Sequence, residues 1–142
     1  CSAVLGEPLP ARGRLYWEAI VDRCEAYRIG VANSITTRSS SLGKNRTSWC
    51  MRYYATPAGH MYEFLHNGAS HDVLITDFPA RVGVFVNCDI GQLSFFNAQS
   101  GQLLHTFQHQ FTGFVCPAFV IEQPGFLTVC TGTELPEFAK CS

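Results

Sequence analysis

The stretch Arg81-Val-Gly-Val-Phe-Val-Asn-Cys-Asp-Ile-Gly-Gln-Leu-Ser-Phe-Phe96 decides the fold class. Val82, Val84, Val86 and Cys88 alternate with Gly83, Phe85 and Asn87, a period of two that belongs to a strand. Asp89-Ile90-Gly91-Gln92 reads as a tight turn, with Gly91 free to take positive φ. Leu93 to Phe96 is apolar on both faces, so this hairpin is expected in a sheet covered on both sides.

Working outward, similar short runs recur along the chain. Leu15–Val21, Tyr27–Ala32, Thr47–Tyr54, Met61–Leu65, Val73–Ile75, Leu103–Phe107, Phe114–Ile121 and Phe126–Thr131 read as strands. Leu103, His105 and Phe107 are expected on one face. Gly30 inside its strand signals close approach of another backbone, and Pro117 signals an edge or a bulge. Asn67-Gly68 favours a hairpin turn. Pro8, Pro10 and Gly13 leave the opening irregular, 33–45 is the longest polar loop, and Leu135–Phe138 reads as a tail. No segment shows helical periodicity. The expected class is all-β, an antiparallel sandwich or barrel of about ten or more short strands.

Composition narrows the function. The 142 residues fit one domain, and a hydrophobic content of 46% supplies a core. Charged residues make up 15% and the net charge is −1, with the basic residues scattered; neither a nucleic acid nor an anionic membrane is the expected partner. No apolar run is long enough to span a bilayer. Seven cysteines, an odd number with no Cys-x-x-Cys pair, argue against a disulfide framework and a zinc knuckle. Free thiols in a reducing compartment, cytoplasm or nucleus, are expected. The opening has the look of a domain excised from a longer multidomain protein. Asn45-Arg46-Thr47 is a glycosylation triplet of a kind that arises often by chance.

No nucleophile–base–orienter motif is present among the five histidines and their neighbours, so no enzyme, catalytic residue or cofactor is expected. His66, His71 and Asp72 around the Asn67-Gly68 turn read as exposed turn residues rather than metal ligands. Tyr16, Trp17 and Trp49 read as core aromatics. Phe111, in a polar loop, is either a plug over the end of the sandwich or a binding hot spot.

Three stretches carry a resemblance. Gly13-Arg14-Leu15-Tyr16-Trp17-Glu18-Ala19 is similar to G-x-H-Y-W-E-V. Val82 to Asp89 followed by Leu93-Ser94-Phe95-Phe96-Asn97 is similar to V-G-V-F-L-D-Y-E and x-S-F-Y-N. Phe111-Thr112-Gly113 through Pro117-Ala118-Phe119 is similar to F-T-x-P-L-x-P-x-F. Together they resemble the SPRY domain family over nearly the whole chain. Leu42–Asn45, Ser48-Trp49-Cys50 and Leu135–Phe138 look most like the fibronectin type III and SPRY domain-containing, myospryn-like members; the tripartite-motif ligases are more distant, and their PRY segment has no counterpart here. The resemblance implies a single SPRY domain over 1–142, folded as a bent, concanavalin-like jelly-roll sandwich. It implies a non-catalytic module binding a protein or peptide through rim loops, in a scaffold or cytoskeleton-associated cytoplasmic protein. A lectin-like sandwich binding a small ligand or carbohydrate is the alternative, with Asn33, Asn67, Asp72 and Asp77 as its polar groups. The implied rim runs through 33–43, 52–60, 66–72 and 108–113, with Asn33, Ser34, Arg52, Tyr54, His71 and Phe111 as contacts. It places Tyr54 and Phe111 at one end of the sandwich, with 67–80 counted as a single connection.

Overall fold

The computed structural model describes residues 2–35, 41–123, 125–132 and 134–140, with side chains from residue 4. Its elements are β1 (Ser2–Leu5), β2 (Leu9–Pro10), β3 (Arg14–Ile20), β4 (Tyr27–Ala32), β5 (Ser48–Thr56), β6 (Gly59–His66), β7 (Ala69–Asp72), β8 (Arg81–Asn87), β9 (Gln92–Asn97), β10 (Leu103–Gln108), β11 (Phe114–Ile121), β12 (Thr128–Cys130) and α1 (Glu137–Lys140). Two antiparallel sheets face each other. One runs β1-β11-β4-β5-β6-β7, with β2 also on β11; the other runs β10-β9-β8-β3-β12.

The core lies where the inward alternate residues meet. Tyr27, Ile29, Val31, Trp49, Met51, Phe64, Val115 and Phe119 of the larger sheet pack on Trp17, Ala19, Val82, Val84, Val86, Leu93 and Phe95 of the smaller. The outer faces are covered too. Phe85 and Phe96, on the outward side of the β8–β9 hairpin, are roofed by Phe138 and Ala139 of the C-terminal helix, with the Phe138 ring tilted against Phe96 at 5.0 Å. On the larger sheet Leu42 seals Cys50, Leu65, Ala118 and Val120. Residues 41–45 of the long polar loop thus form a lid, held by hydrogen bonds to β5 and to the Asn67-Gly68 turn. Gly43 N donates to Ser48 Oγ at 2.8 Å, and Asn67 N and Gly68 N donate to the Asn45 and Gly43 carbonyls.

Several local expectations hold. Asn67 (φ 52) and Gly68 (φ 77) both sit in the left-handed region that a two-residue hairpin needs, and Gly91 (φ 70) does the same after β8. At Gly30 a Cβ would stand 2.7 Å from Cys50 Cα, too close for any other residue.

Others are corrected. The strand after Asn67-Gly68 is Ala69–Asp72; Val73–Ile75 is irregular. A bulge between Leu103 and His105 turns Leu104 into the core and leaves Leu103 exposed. Pro117 does not mark an edge strand, though residues 6–8 oppose only Cys116 and Pro117 between the Leu5–Ala118 and Leu9–Val115 pairs, a bulge-like irregularity. β11 is central, and the missing Pro117 N–H faces the break between β1 and β2, where Gly6 N donates to the Pro117 carbonyl at 2.7 Å. The opening and the tail, read as irregular, hold β1, β2 and α1. Among the described residues no helix is long and apolar enough to cross a membrane.

Candidate functional site

From β2 onward, connections alternate between two ends of the sandwich, because β7 is a strand and all pairing is antiparallel. Residues 33–35, 41–47, 67–68, 88–91 and 109–113 gather at the end where β5 begins, the Trp49 end. Residues 21–26, 57–58, 73–80, 98–102, 122–123 and 125–127 gather where β5 finishes, the Tyr53 end. The expected rim therefore mixes two ends. Of its segments, the described parts of 33–43, residues 66–68 and 108–113 lie at one end and the 57–60 part of 52–60 at the other, because strand β7 makes 67–68 and 73–80 separate connections.

At the Trp49 end, Trp49 is buried among rings. His66 stacks on it at 4.3 Å, His109 lies at 4.6 Å and Phe111 stands edge-on at 4.9 Å. His66 Nδ1–H donates to the Ser48 carbonyl at 2.8 Å, an acceptor that fixes the tautomer. Phe111 is 2% exposed, so it is the plug and offers no surface to a partner. Asn33 and Ser34 follow β4 here, half-buried, and Asn33 N bonds to the Thr47 carbonyl.

His71 is exposed on edge strand β7 and faces inward toward His105, 5.6 Å away; Asp72, its neighbour, faces outward beside Glu63. The turn thus sends its histidines and its carboxylate to opposite faces. Among the described residues no cluster of three or more His, Cys, Asp or Glu is placed to hold a metal. The polar groups of the lectin-like alternative are scattered as well: Asn33 and Asn67 lie at the Trp49 end, Asp77 at the Tyr53 end and Asp72 on the edge.

Arg52 and Tyr54 come together on the outward face of β5. Arg52 forks onto Glu122 with two bonds of 3.1 Å, lies 3.8 Å from Glu63 and stacks over the Tyr54 ring at 4.5 Å. Tyr54 Oη donates to Glu63 at 2.8 Å, a bond that holds its hydroxyl above the ordinary phenol range. Glu122 is shared with the buried Arg28, whose Nε lies 2.9 Å away off the N–H line and whose Nη1 donates to the Leu42 carbonyl.

From this pair the Tyr53 end continues through two clefts of mixed charged and aromatic lining. Tyr54 borders a small cleft of about 170 Å³ with Glu25, Ala26, Ala55 and Gln123. Beside it a cleft of about 460 Å³ is lined by Asp22, Arg23, Cys24, Glu25, Tyr53 and Ala55. On one side Arg23 lies over the Phe126 ring at 5.8 Å. On the other, Tyr53 bonds His60 Nδ1, and His60 stacks 4.2 Å from Phe78. Phe78 is 50% exposed, Phe126 57% and Leu74 90%. Phe78 and Phe126 thus stand exposed on the two sides of this end. The sequence reading missed 22–26, 78 and 126, because they lie in three connections far apart in the chain.

A family model for the SPRY domain matches residues 14–134. The human fibronectin type III and SPRY domain-containing protein 2 is 42% identical over 137 residues, which is 96% of this chain. The chain spans 18% of that relative's length. Among solved structures, that of stonustoxin superposes with a TM-score of 0.68 and 30% identity, over 90% of this chain and 21% of the other. The PSpry domain of TRIM65 superposes with a TM-score of 0.73 over 90% of this chain and 70% of the other, at 22% identity, a likeness of fold. With the motifs on β3, β8 and β11 seated in this two-sheet sandwich, the chain belongs to the SPRY domain family.

Proposed function

We propose that this chain recognises a protein partner through the Tyr53 end, with Arg52 and Tyr54 at its margin. SPRY domains are in general non-catalytic modules that bind proteins or peptides. The observation that carries this reading is the contact chain Phe126–Arg23–cleft–Tyr53–His60–Phe78, which ends in two half-exposed rings. Asp22, Glu25 and Asp77 surround that chain of contacts, so a partner presenting apolar side chains flanked by Lys or Arg fits it best. Buried thiols suit a cytoplasmic setting, and the fibronectin-type relative suits a role as one domain of a larger scaffold.

The test is comparative affinity capture. Partners held by the wild-type chain are expected to be lost with Phe78→Ser plus Phe126→Ser, and weakened by Tyr54→Ala. They are expected to be retained with Ile35→Ser plus Ile90→Ser at the opposite end. The reverse pattern would move the site to the Trp49 end.

A further inference from the structure

The bond between Asn67 and Gly68 is chemically unlike the bond after any other asparagine of the chain. Asparagines stand at 33, 45, 67, 87 and 97, followed by Ser, Arg, Gly, Cys and Ala. A main-chain nitrogen can attack the carboxamide of the asparagine before it, and a side chain on the attacking residue hinders the approach; Gly68 carries none. The carboxamides of Asn45, Asn87 and Asn97 are also tied down. Asn45 Oδ1 accepts from Thr47 N at 3.2 Å, Asn87 Oδ1 from Asp89 N at 3.1 Å and Asn97 Oδ1 from Gln99 N at 3.1 Å. Asn33 is half-buried. Asn67 and Gly68 are both exposed, and among the described residues no hydrogen bond holds the Asn67 carboxamide.

One contact restrains the reaction. Gly68 N donates to the Gly43 carbonyl at 3.2 Å, and Asn67 N donates to the Asn45 carbonyl at 3.0 Å. Both acceptors belong to the lid 41–45, so the attacking nitrogen is engaged while the lid is shut. Lifting the lid frees it, and a short surface segment opens far more readily than the sheet beneath it. Under the lid lie Leu65 and Cys50, whose Sγ is 3.7 Å from the Leu42 carbonyl.

We propose that Asn67-Gly68 is a self-modifying latch on this lid. With the lid lifted, Gly68 N bonds to Asn67 Cγ, the Cγ–Nδ2 bond breaks, and ammonia leaves with the amide proton. Water then opens the succinimide ring at the former main-chain carbonyl of Asn67. The chain now runs through Cγ, and a new α-carboxylate appears. This isoaspartate adds an atom to the main chain of a turn that depends on positive φ at Asn67 (φ 52) and Gly68 (φ 77) to aim both N–H groups at the lid. The bonds to Ser48 and Arg28 remain, and the lid opens more often. The latch lies at the Trp49 end and does not depend on the reading given to the Tyr53 end.

Ageing the folded chain in mildly alkaline buffer tests this. Peptide mass mapping follows deamidation, methyl transfer by an isoaspartyl carboxyl methyltransferase reports isoaspartate, and a disulfide reagent reports Cys50. Asn67 is expected to convert while the other four asparagines stay intact. Conversion is expected at least about tenfold slower than in the same chain held unfolded, because the shut lid engages Gly68 N. Cys50 of the aged protein is expected to react at least about fivefold faster than in fresh protein, since two of the lid's hydrogen bonds are gone. Asn67→Gly keeps a turn of positive φ without a carboxamide, and Cys50 is expected to stay slow in it after ageing. Asn67→Asp supplies the charge without the extra main-chain atom, and Cys50 is expected to be slow in it when fresh. The proposal is overturned if folded Asn67 stays intact through about a hundred half-lives of its conversion in the unfolded chain. It is overturned equally if Asn67 converts as fast folded as unfolded, if another asparagine converts first, or if ageing leaves Cys50 no more reactive. A fast Cys50 in fresh Asn67→Asp would trace the effect to charge alone and also overturn it. The wild-type measurements decide the matter even if a variant fails to fold.

Discussion

The Phe111 ring stands edge-on to the Trp49 indole, centroids 4.9 Å apart and planes at 70°, joining the β10–β11 connection to the start of β5. Tyr54 is five residues further along β5, about 17 Å at strand rise, and on the other face of the sheet. The pair Trp49–Phe111 is therefore an anchor, and Tyr54 belongs to a different surface.

Trp49→Ala and Phe111→Ala should each destabilise the fold by about 3–5 kcal/mol, the usual cost of emptying a buried aromatic site. Chemical denaturation checks this. Trp49→Ala leaving the midpoint unchanged while removing partner binding would show the indole to be a contact and not a plug.

Glu122 balances a buried guanidinium and a half-buried one. Arg28 is nearly solvent-free, so Glu122→Gln should cost about 3–5 kcal/mol by leaving that charge uncompensated. Arg52→Ala should cost only about 0–1 kcal/mol, because water screens the partly exposed side chain. Equal losses in the two variants would contradict this division.

Histidines line the open seam between β6–β7 and β10. Burial lowers the pKa of His105, and neighbouring His71 lowers it further; burial and His66 do the same for His109. The other faces against His105 are Phe64 and Phe107, and those against His109 are Trp49 and Phe111, none of which titrates here. A histidine with a depressed folded pKa binds its proton more readily when unfolded. Its contribution is present above about pH 6.5, the unfolded value, and is lost as pH falls from there toward the folded pKa. Melting temperature should fall between neutral and mildly acidic pH, and His71→Gln should flatten that fall. An unaltered profile in the variant would remove the coupling.

Thiol reactivity should follow burial. Cys50, fully enclosed, is pushed up to about 12, and burial also raises Cys24, Cys88 and Cys116. Cys130, half-buried on β12, should be the first of the five described cysteines to react with a disulfide reagent in the native protein. All seven should react once the chain is unfolded without reductant. A native burst that includes Cys50 would argue that the Leu42 lid opens.

The sheets were legible wherever alternation and hydrogen bonding coincide, as on β3, β4, β5, β8 and β9. They parted at Val73-Leu74-Ile75. Ile75 is buried, Val73 packs partly on the core and Leu74 is exposed, so the run alternates like a strand yet joins no ladder. The true strand, Ala69–Asp72, is an exposed edge whose sequence carries no apolar signal. Helix α1, at four residues, is too short to show a period. The site failed for a related reason. The resemblance implies loop positions, but which loops meet depends on strand parity, and the polar, exposed β7 on which that parity turns leaves no apolar trace in the sequence.

That alternation has a consequence for how the domain can vary. From β2 onward any two consecutive connections belong to opposite ends, so an insertion in one reshapes a single surface and leaves the other untouched. Grafting a contiguous block of sequence from a relative always transplants parts of both ends together. A chimera meant to carry over one binding specificity must take every second loop, and the loops left behind then form a second face that can be evolved independently on the same frame.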